Sequence, residues 1–242
     1  MKSSQLTAEI VRSLKALSDP DRAFQTARFF KTGPGQYGAG DVFLGISVPQ
    51  QRALAGRYKK VIDVETVGQL LDSEYHEVRL TAVFLLNLGF ERDFPTGKGE
   101  PWVDLYLSKT ARINNWDLVD SSAHIVLGRW LEQRDRDILY RLAESGLLWD
   151  NRIAMVATLH FIRQGALDDC LQLSEKFLDH PHDLMHKASG WMLREAWKRK
   201  PAMVEEFLYK YAETMPRTML RYAIEKMDEP VRRAYLGRDV RQ

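Results

Sequence analysis

Two carboxylates and an indole crowd into Asn114 to Val126, NNWDLVDSSAHIV, a run whose apolar spacing is that of a buried helix. Trp116 and Asp120 stand four residues apart and share one face of such a helix, with Asp117 beside them at the helix start. Arg152 follows Trp116 by 36 residues, and Trp191 follows Arg152 by 39. If each step is about one structural repeat, these side chains line a single strip: aromatic, carboxylate, guanidinium, aromatic. Rings stack on bases or sugars, and the planar fork of arginine grips phosphate. The strip therefore suits a stacking, electron-poor ligand on a phosphate backbone.

Positioning such a strip is a task for helices. LTAEIVRSLKALS, YHEVRLTAVFLLNLGF, VDSSAHIVLGRWL, NRIAMVATLHFIRQG, DDCLQLSEKFL, HKASGWMLREAWKR and PAMVEEFLYKYAETM all space apolar residues at three and four. Gly89, Pro95, Gly146, Gly165, Pro181, Pro201 and Pro216 are read as breaks between helices. No alternating strand pattern stands out. The polar residues near successive helix starts, Arg79, Asp117, Arg152, Lys187 and Arg221, are 38, 35, 35 and 34 residues apart. That period predicts an all-α fold: a HEAT-like or armadillo-type α-solenoid of about six helical repeats with a concave binding face, residues 1–242 forming one domain. One stretch departs from helix. Lys31 to Gly45, KTGPGQYGAGDVFLG, holds five glycines and a proline and reads as a long ordered loop running to residue 48. It lacks the GK[ST] ending of a phosphate loop.

Composition bounds the rest. With 45% hydrophobic residues the chain has ample core and no case for global disorder. Its N-terminus carries charge throughout and no apolar run approaches the ~20 residues of a membrane span, so no signal peptide and no membrane partner are expected. One cysteine, Cys170, fits a reducing cytosol and a buried thiol. The net charge of +2 hides an asymmetry. From His186 to Gln242 there are 13 Lys/Arg against 8 Asp/Glu, or +5, leaving −3 for the remainder. A basic C-terminal quarter points to an anionic partner or to a solvated helical surface.

The segments ARFFKTGPGQYGAGDVFLGISVPQQR, NNWDLVDSS, WDNRIAMV and KASGWMLREAWKRKP resemble, in order and spacing, the AlkD-type DNA alkylation repair glycosylases, HEAT-like repeat enzymes. The resemblance runs from about Thr26 to Lys226. It implies removal of positively charged alkylated purines, such as 7-methylguanine and 3-methyladenine, from duplex DNA by a monofunctional enzyme needing no cofactor and no metal. It maps the family's catalytic carboxylate onto Asp120, its flanking aromatics onto Trp116 and Trp191, and its phosphate-gripping arginine onto Arg152. A family tyrosine corresponds to Phe29 here, a change that removes a hydroxyl and keeps the ring. ISVPQQR resembles a turn and helix start at the DNA backbone, making Ser47 and Arg52 expected contacts, with Lys187 and Arg194 as further DNA-binding cations. Alkylated double-stranded DNA is the expected partner of a cytoplasmic monomer.

Other readings compete for the same residues. Asp120 can cap a helix or pair with Arg152, and Trp116 and Trp191 are by default core aromatics. HPHDLMH holds His180, His182 and His186 but no companion glutamate motif or cysteine cluster, so a loop and helix start are expected there. Trp191, Trp197, Tyr209 and Tyr211 are read as packing between repeats, and the basic run Lys198–Lys200 as a helix end or a phosphate contact. A non-catalytic DNA-binding repeat protein and a protein–protein scaffold are the rival functions.

Overall fold

The computed structural model describes residues 2–237, and among these the secondary structure is helical, with a single isolated bridge between Val42 and Tyr75 and no strand. The fold is all-α and HEAT-like. The chain divides into two compact units, Met1–Ser122 and Ala123–Gln242.

The first unit is built around α5 (His76–Asp93), where fourteen of eighteen residues are buried. A helix apolar on all sides must be enclosed on all sides. α3 (Val48–Tyr58), α4 (Val64–Leu71), α6 (Glu100–Ser108) and α7 (Trp116–Asp120) all pack on it, and α1 (Ser3–Lys15) packs on α3 and α4. Side-chain caps fix where some of these helices begin. Asp19 accepts the Arg22 N–H at the start of α2 (Pro20–Phe29), and Asp63 accepts the Thr66 N–H at the start of α4, each satisfying an orphan donor.

In the second unit an inner row of helices, α9 (Leu148–Arg163), α11 (Asp183–Trp197) and α13 (Arg217–Ala223), packs in succession. An outer row covers it: α8 (Asp137–Glu144) on α9, α10 (Asp168–Lys176) on α9 and α11, and α12 (Pro201–Tyr211) on α11. α14 (Glu229–Gly237) follows. The markers Arg79, Asp117, Arg152, Lys187 and Arg221 fall on α5, α7, α9, α11 and α13, so the sequence period is the period of the helix pairs. No described helix is long and apolar enough to cross a membrane.

Three local expectations are corrected. Gly89 does not break a helix. It lies inside α5, where a Cβ would come within 2.4 Å of the Trp102 indole, so it is the absence of a side chain that lets the ring seat there. VDSSAHIVLGRWL is not one regular α-helix, because α7 ends at Asp120 and His124–Gly128 form a π-helical turn with Gly128 N–H bonded to the Ala123 carbonyl. Asn87 Nδ2 takes the Ser121 carbonyl at 2.8 Å and Ser122 Oγ takes that of Leu118 at 2.7 Å, diverting groups of the α-helical ladder. Tyr209 is 81% exposed, so its ring lies mostly in solvent and is not packed between repeats as core.

Candidate nucleic-acid interface and active site

The loop between α2 and α3 is ordered by the start of α5. The buried Glu77 carboxylate accepts three successive backbone N–H groups, from Leu44 at 2.9 Å, Gly45 at 2.8 Å and Ile46 at 3.3 Å. Gly45 adopts φ +78°, and a Cβ there would lie 2.1 Å from the Asp19 carbonyl, so only glycine fits the turn. The Val42 carbonyl accepts the His76 N–H at 2.8 Å. These bonds deliver Asp41 into the interior.

There Asp41 joins a buried polar cluster. One of its oxygens accepts from His76 Nδ1 at 2.9 Å and from Asn115 Nδ2 at 3.1 Å, and the other from Arg79 Nη2 at 2.5 Å. His76 Nε2 lies 2.8 Å from Asp117 Oδ2. Arg79 Nη1 also donates to the carbonyls of Ser73 and Glu74. Burial disfavours charge on both Asp41 and His76, but their mutual pairing outweighs it. Hydrogen bonding from His76 and the charges of Arg79 and His76 hold the Asp41 carboxyl below its usual value. The facing Asp117 and Asp41 carboxylates push the imidazole up to about 9.

This cluster meets the first turn of α7, through Asn115 and Asp117 directly and through Phe30 to Trp116. The Trp116 indole stacks on Phe30, with centroids 5.1 Å apart and planes at 6°, and meets Phe29 edge-on at 6.0 Å. Phe30 in turn packs at 4.9 Å from His76. Phe29 is 66% exposed, while Trp116 and Asp120 are half-buried. Asp117, the carboxylate at the helix start beside Asp120, is spoken for by His76. The buried His76 and Asp41 were not singled out in the sequence. Their only signal was polarity in unlikely places, a histidine opening an apolar helix and an aspartate ending a glycine-rich run.

Ser47 and Arg52 stand at the start of α3. Ser47 caps it, its N–H and hydroxyl both donating to Gln50 Oε1 at 3.1 and 2.6 Å. Arg52 is exposed, its guanidinium carbon 4.1 Å from the centroid of the Phe84 ring. Both lie in the first unit with Phe29, Trp116 and Asp120.

The second unit carries the other expected site residues. Arg152 is buried near the start of α9, and its Nη1 donates to the Leu184 carbonyl at 2.5 Å, tying it to the start of α11. Lys187, Trp191 and Arg194 fall at i, i+4 and i+7 on α11 and are all half-buried. Trp191 follows Gly190, where a Cβ would meet the Met219 carbonyl and Tyr222 Cβ at 2.5 Å, so α11 and α13 touch closely beside the indole. The two cations on this face carry carboxylate partners: Lys187 pairs with Asp183 at 3.0 Å, and Arg194 pairs with Glu225 and, at 3.6 Å, with Glu195.

The three histidines serve the helix start as expected. His182 N–H donates to His180 Nδ1 and Leu184 N–H to His182 Nδ1, both at 3.1 Å, while His186 Nε2 donates to the His180 carbonyl at 2.6 Å. Burial holds His180 and His182 below the usual histidine value, as rings accepting hydrogen bonds require. Cys170 is buried on α10, and burial pushes its thiol up to about 12.

Comparison with known proteins accords with this layout. The family described as DNA alkylation repair enzyme matches residues 10–227. A solved structure from Enterococcus faecalis, described as a predicted DNA alkylation repair enzyme, superposes with a TM-score of 0.64 at 20% identity, over 88% of this chain and 97% of its own. No curated protein matches the sequence. At that identity the structural likeness speaks for the fold, and the family match, spanning nearly the whole chain, speaks for kinship: the protein belongs to the DNA alkylation repair enzyme family.

Proposed function

We propose that the protein is a monofunctional DNA glycosylase, hydrolysing the N-glycosidic bond of positively charged alkylated purines such as 7-methylguanine and 3-methyladenine in duplex DNA. The observation that carries the reading is the Trp116–Asp120 pair, one helical turn apart on α7, in a chain of the alkylation repair family. A cationic purine leaves as a neutral base, so no general acid is required. The barrier lies in the positive charge that develops on the deoxyribose as the bond stretches. Asp120 stabilises that charge electrostatically and orients the water that adds to the sugar carbon, and the water's proton passes to solvent or carboxylate. The indoles of Trp116 and Trp191 attract the cationic base and sugar through their faces.

In this proposal Arg152 grips a phosphate, its fork aimed by the Leu184 carbonyl. Phe29 offers an exposed ring, and Ser47 and Arg52 offer donors to the DNA backbone. Lys187 and Arg194 contribute by exchanging carboxylate partners for phosphates, which makes each worth less than an unengaged cation. Water is the sole co-reactant, the protein acts as a cytoplasmic monomer, and residues 1–242 serve one reaction as a single DNA-binding domain.

The test is a duplex carrying one 7-methylguanine, incubated with wild-type protein and with Asp120→Asn. The expected outcome is free base from the wild type and a loss of about 100-fold or more in the variant, with duplex binding retained at a stated salt concentration. Binding without release from either protein would replace the glycosylase with a non-catalytic DNA binder.

A further inference from the structure

His76 is 1% exposed, and none of the proposed chemistry touches it. Yet the polar and aromatic contacts that hold the first turn of α7 converge on it. Five residues are too few to hold a direction by helix propensity, so the orientation of α7 comes from its anchors. There are three. Asn115, at its N-cap, donates to Asp41; Trp116 stacks on Phe30; and Asp117 meets His76 Nε2. Asp41 is itself bonded to His76 Nδ1, and Phe30 packs against the imidazole, whose other neighbour is the Phe43 ring stacked at 4.6 Å.

The protonation state of the ring decides whether this assembly closes. Only an imidazolium donates at both nitrogens, and a neutral ring would turn a lone pair toward one of the two carboxylates. The charges agree. Asp41 from the loop and Asp117 from α7 face His76 and Arg79 from α5, which balances to zero only with His76 protonated. The next cation, Arg112, spends its guanidinium on the carbonyls of Leu71, Asp72 and Ser73, and Glu77 is turned to the loop amides. Removing the His76 proton would leave a net negative charge in a buried site, with one carboxylate unbonded by the ring.

We infer that His76, as an imidazolium bridging Asp41 and Asp117, is a positioning residue that sets α7 and thereby aims Trp116 and Asp120 at the substrate. The inference rests on the glycosylase reading for its consequence in catalysis, and on the geometry of α7 alone for its consequence in the free protein. It makes the site alkali-sensitive. Above the imidazole's midpoint the bridge opens, α7 loses its Asp117 anchor, and the Trp116–Asp120 pair drifts without any change in its own chemistry.

Asp117→Asn discriminates this role from a merely structural one. The side-chain amide that this substitution introduces can donate to a neutral Nε2 or accept from a protonated one, so the bridge survives deprotonation. Single-turnover base release, corrected at each pH for release from DNA alone, is expected to fall about tenfold from about pH 8 to about pH 10 in the wild type, following the imidazolium fraction. Asp117→Asn is expected to stay within about twofold of its own rate over the same range. In parallel, nitrogen-15 spectra of the free wild-type protein should show His76 protonated at both nitrogens, and the Trp116 indole and Asp120 amide should shift with the His76 midpoint. An alkaline fall shared by Asp117→Asn, or Trp116 and Asp120 signals indifferent to the His76 titration, overturns the inference. Absence of any base release from the wild type removes the glycosylase reading instead, and the spectra then decide by themselves whether His76 positions α7.

Discussion

Glu77→Gln isolates what orders the glycine-rich loop. Side-chain shape is conserved, and one carboxylate oxygen becomes an NH2. Glu77 receives the N–H groups of Gly45 and Ile46 on one oxygen, both in the interior, and that of the half-buried Leu44 on the other. In the variant the amide oxygen can keep the first pair as neutral bonds, but the Leu44 N–H then faces a donor. Hydrogen bonds to a charged group are worth about 1.5–3 kcal/mol each and neutral ones about 1 kcal/mol, and a buried donor left unmet costs a further 1–3 kcal/mol or so. At the low end of these ranges, which suits a half-buried Leu44, two bonds weakened by about 0.5 kcal/mol each, a charged bond of about 1.5 kcal/mol lost and about 1 kcal/mol for the unmet donor sum to about 3.5 kcal/mol. For a chain of this length each kcal/mol shifts Tm by roughly 2–4 °C, giving a fall on the order of 10 °C.

Thermal unfolding followed by circular dichroism reads the total, and amide hydrogen exchange at Leu44, Gly45 and Ile46 locates it. The exchange of these amides should accelerate well beyond that of the α9 core. A Tm within about 3 °C of wild type, with Leu44 still protected, would refute the reasoning. It would mean that the loop is held by its glycine turns and by the Val42–His76 backbone bond, with the carboxylate an accessory.

Two further perturbations act on the elements that carry the site. Gly190→Ala places a methyl about where the Met219 carbonyl and Tyr222 Cβ now touch α11, so α13 must retreat; a loss of about 1–3 kcal/mol is expected in urea unfolding, with a changed Trp191 environment in fluorescence or indole NMR. The raised His76 value also predicts a pH dependence of stability. Its folded value, about 9, exceeds the unfolded value near 6.5, so the contribution is complete below about pH 6.5, declines as pH rises, and is gone above about pH 9. The amount is on the order of 3 kcal/mol, and His76→Gln should lack that slope between these limits.

What the sequence made legible was whatever repeats. α1 and α10 to α12 announce themselves because each buries an apolar face that recurs at the helical period, and α5 and α9 because they are long and apolar nearly all round. Among the inner helices, α5 and α9 were traceable through Arg79 and Arg152, buried polar groups of the kind that need a partner and are placed sparingly, whereas Arg221 on α13 is exposed and marks the period by position alone. α2 has no buried residue, and its exposed Phe24 and Phe29 give no stripe to read. The π-helical turn was hidden because its cause, the Asn87 amide on the Ser121 carbonyl, spans 34 residues. Gly89 read as a break because glycine has two uses, and only the Trp102 ring tells close packing from a turn.

The same distinction divides the candidate site. Trp116, Asp120, Arg152 and Trp191 could be named because their types suggest a chemistry and the family pattern assigns it. His76, Asp41 and Asn115 could not, because their meaning lies in pairings across 35 to 74 residues that no local pattern encodes. A five-residue helix bearing a carboxylate and an indole has no orientation of its own, so the residues that orient it are as necessary as the residues it displays. The glycine-rich loop belongs to that hidden half. Its glycines let the chain turn tightly enough to meet Glu77, and meeting Glu77 brings Asp41 to His76. A loop without a nucleophile, a metal ligand or a phosphate motif thus bears on the same helix as the proposed catalytic carboxylate, through one imidazole.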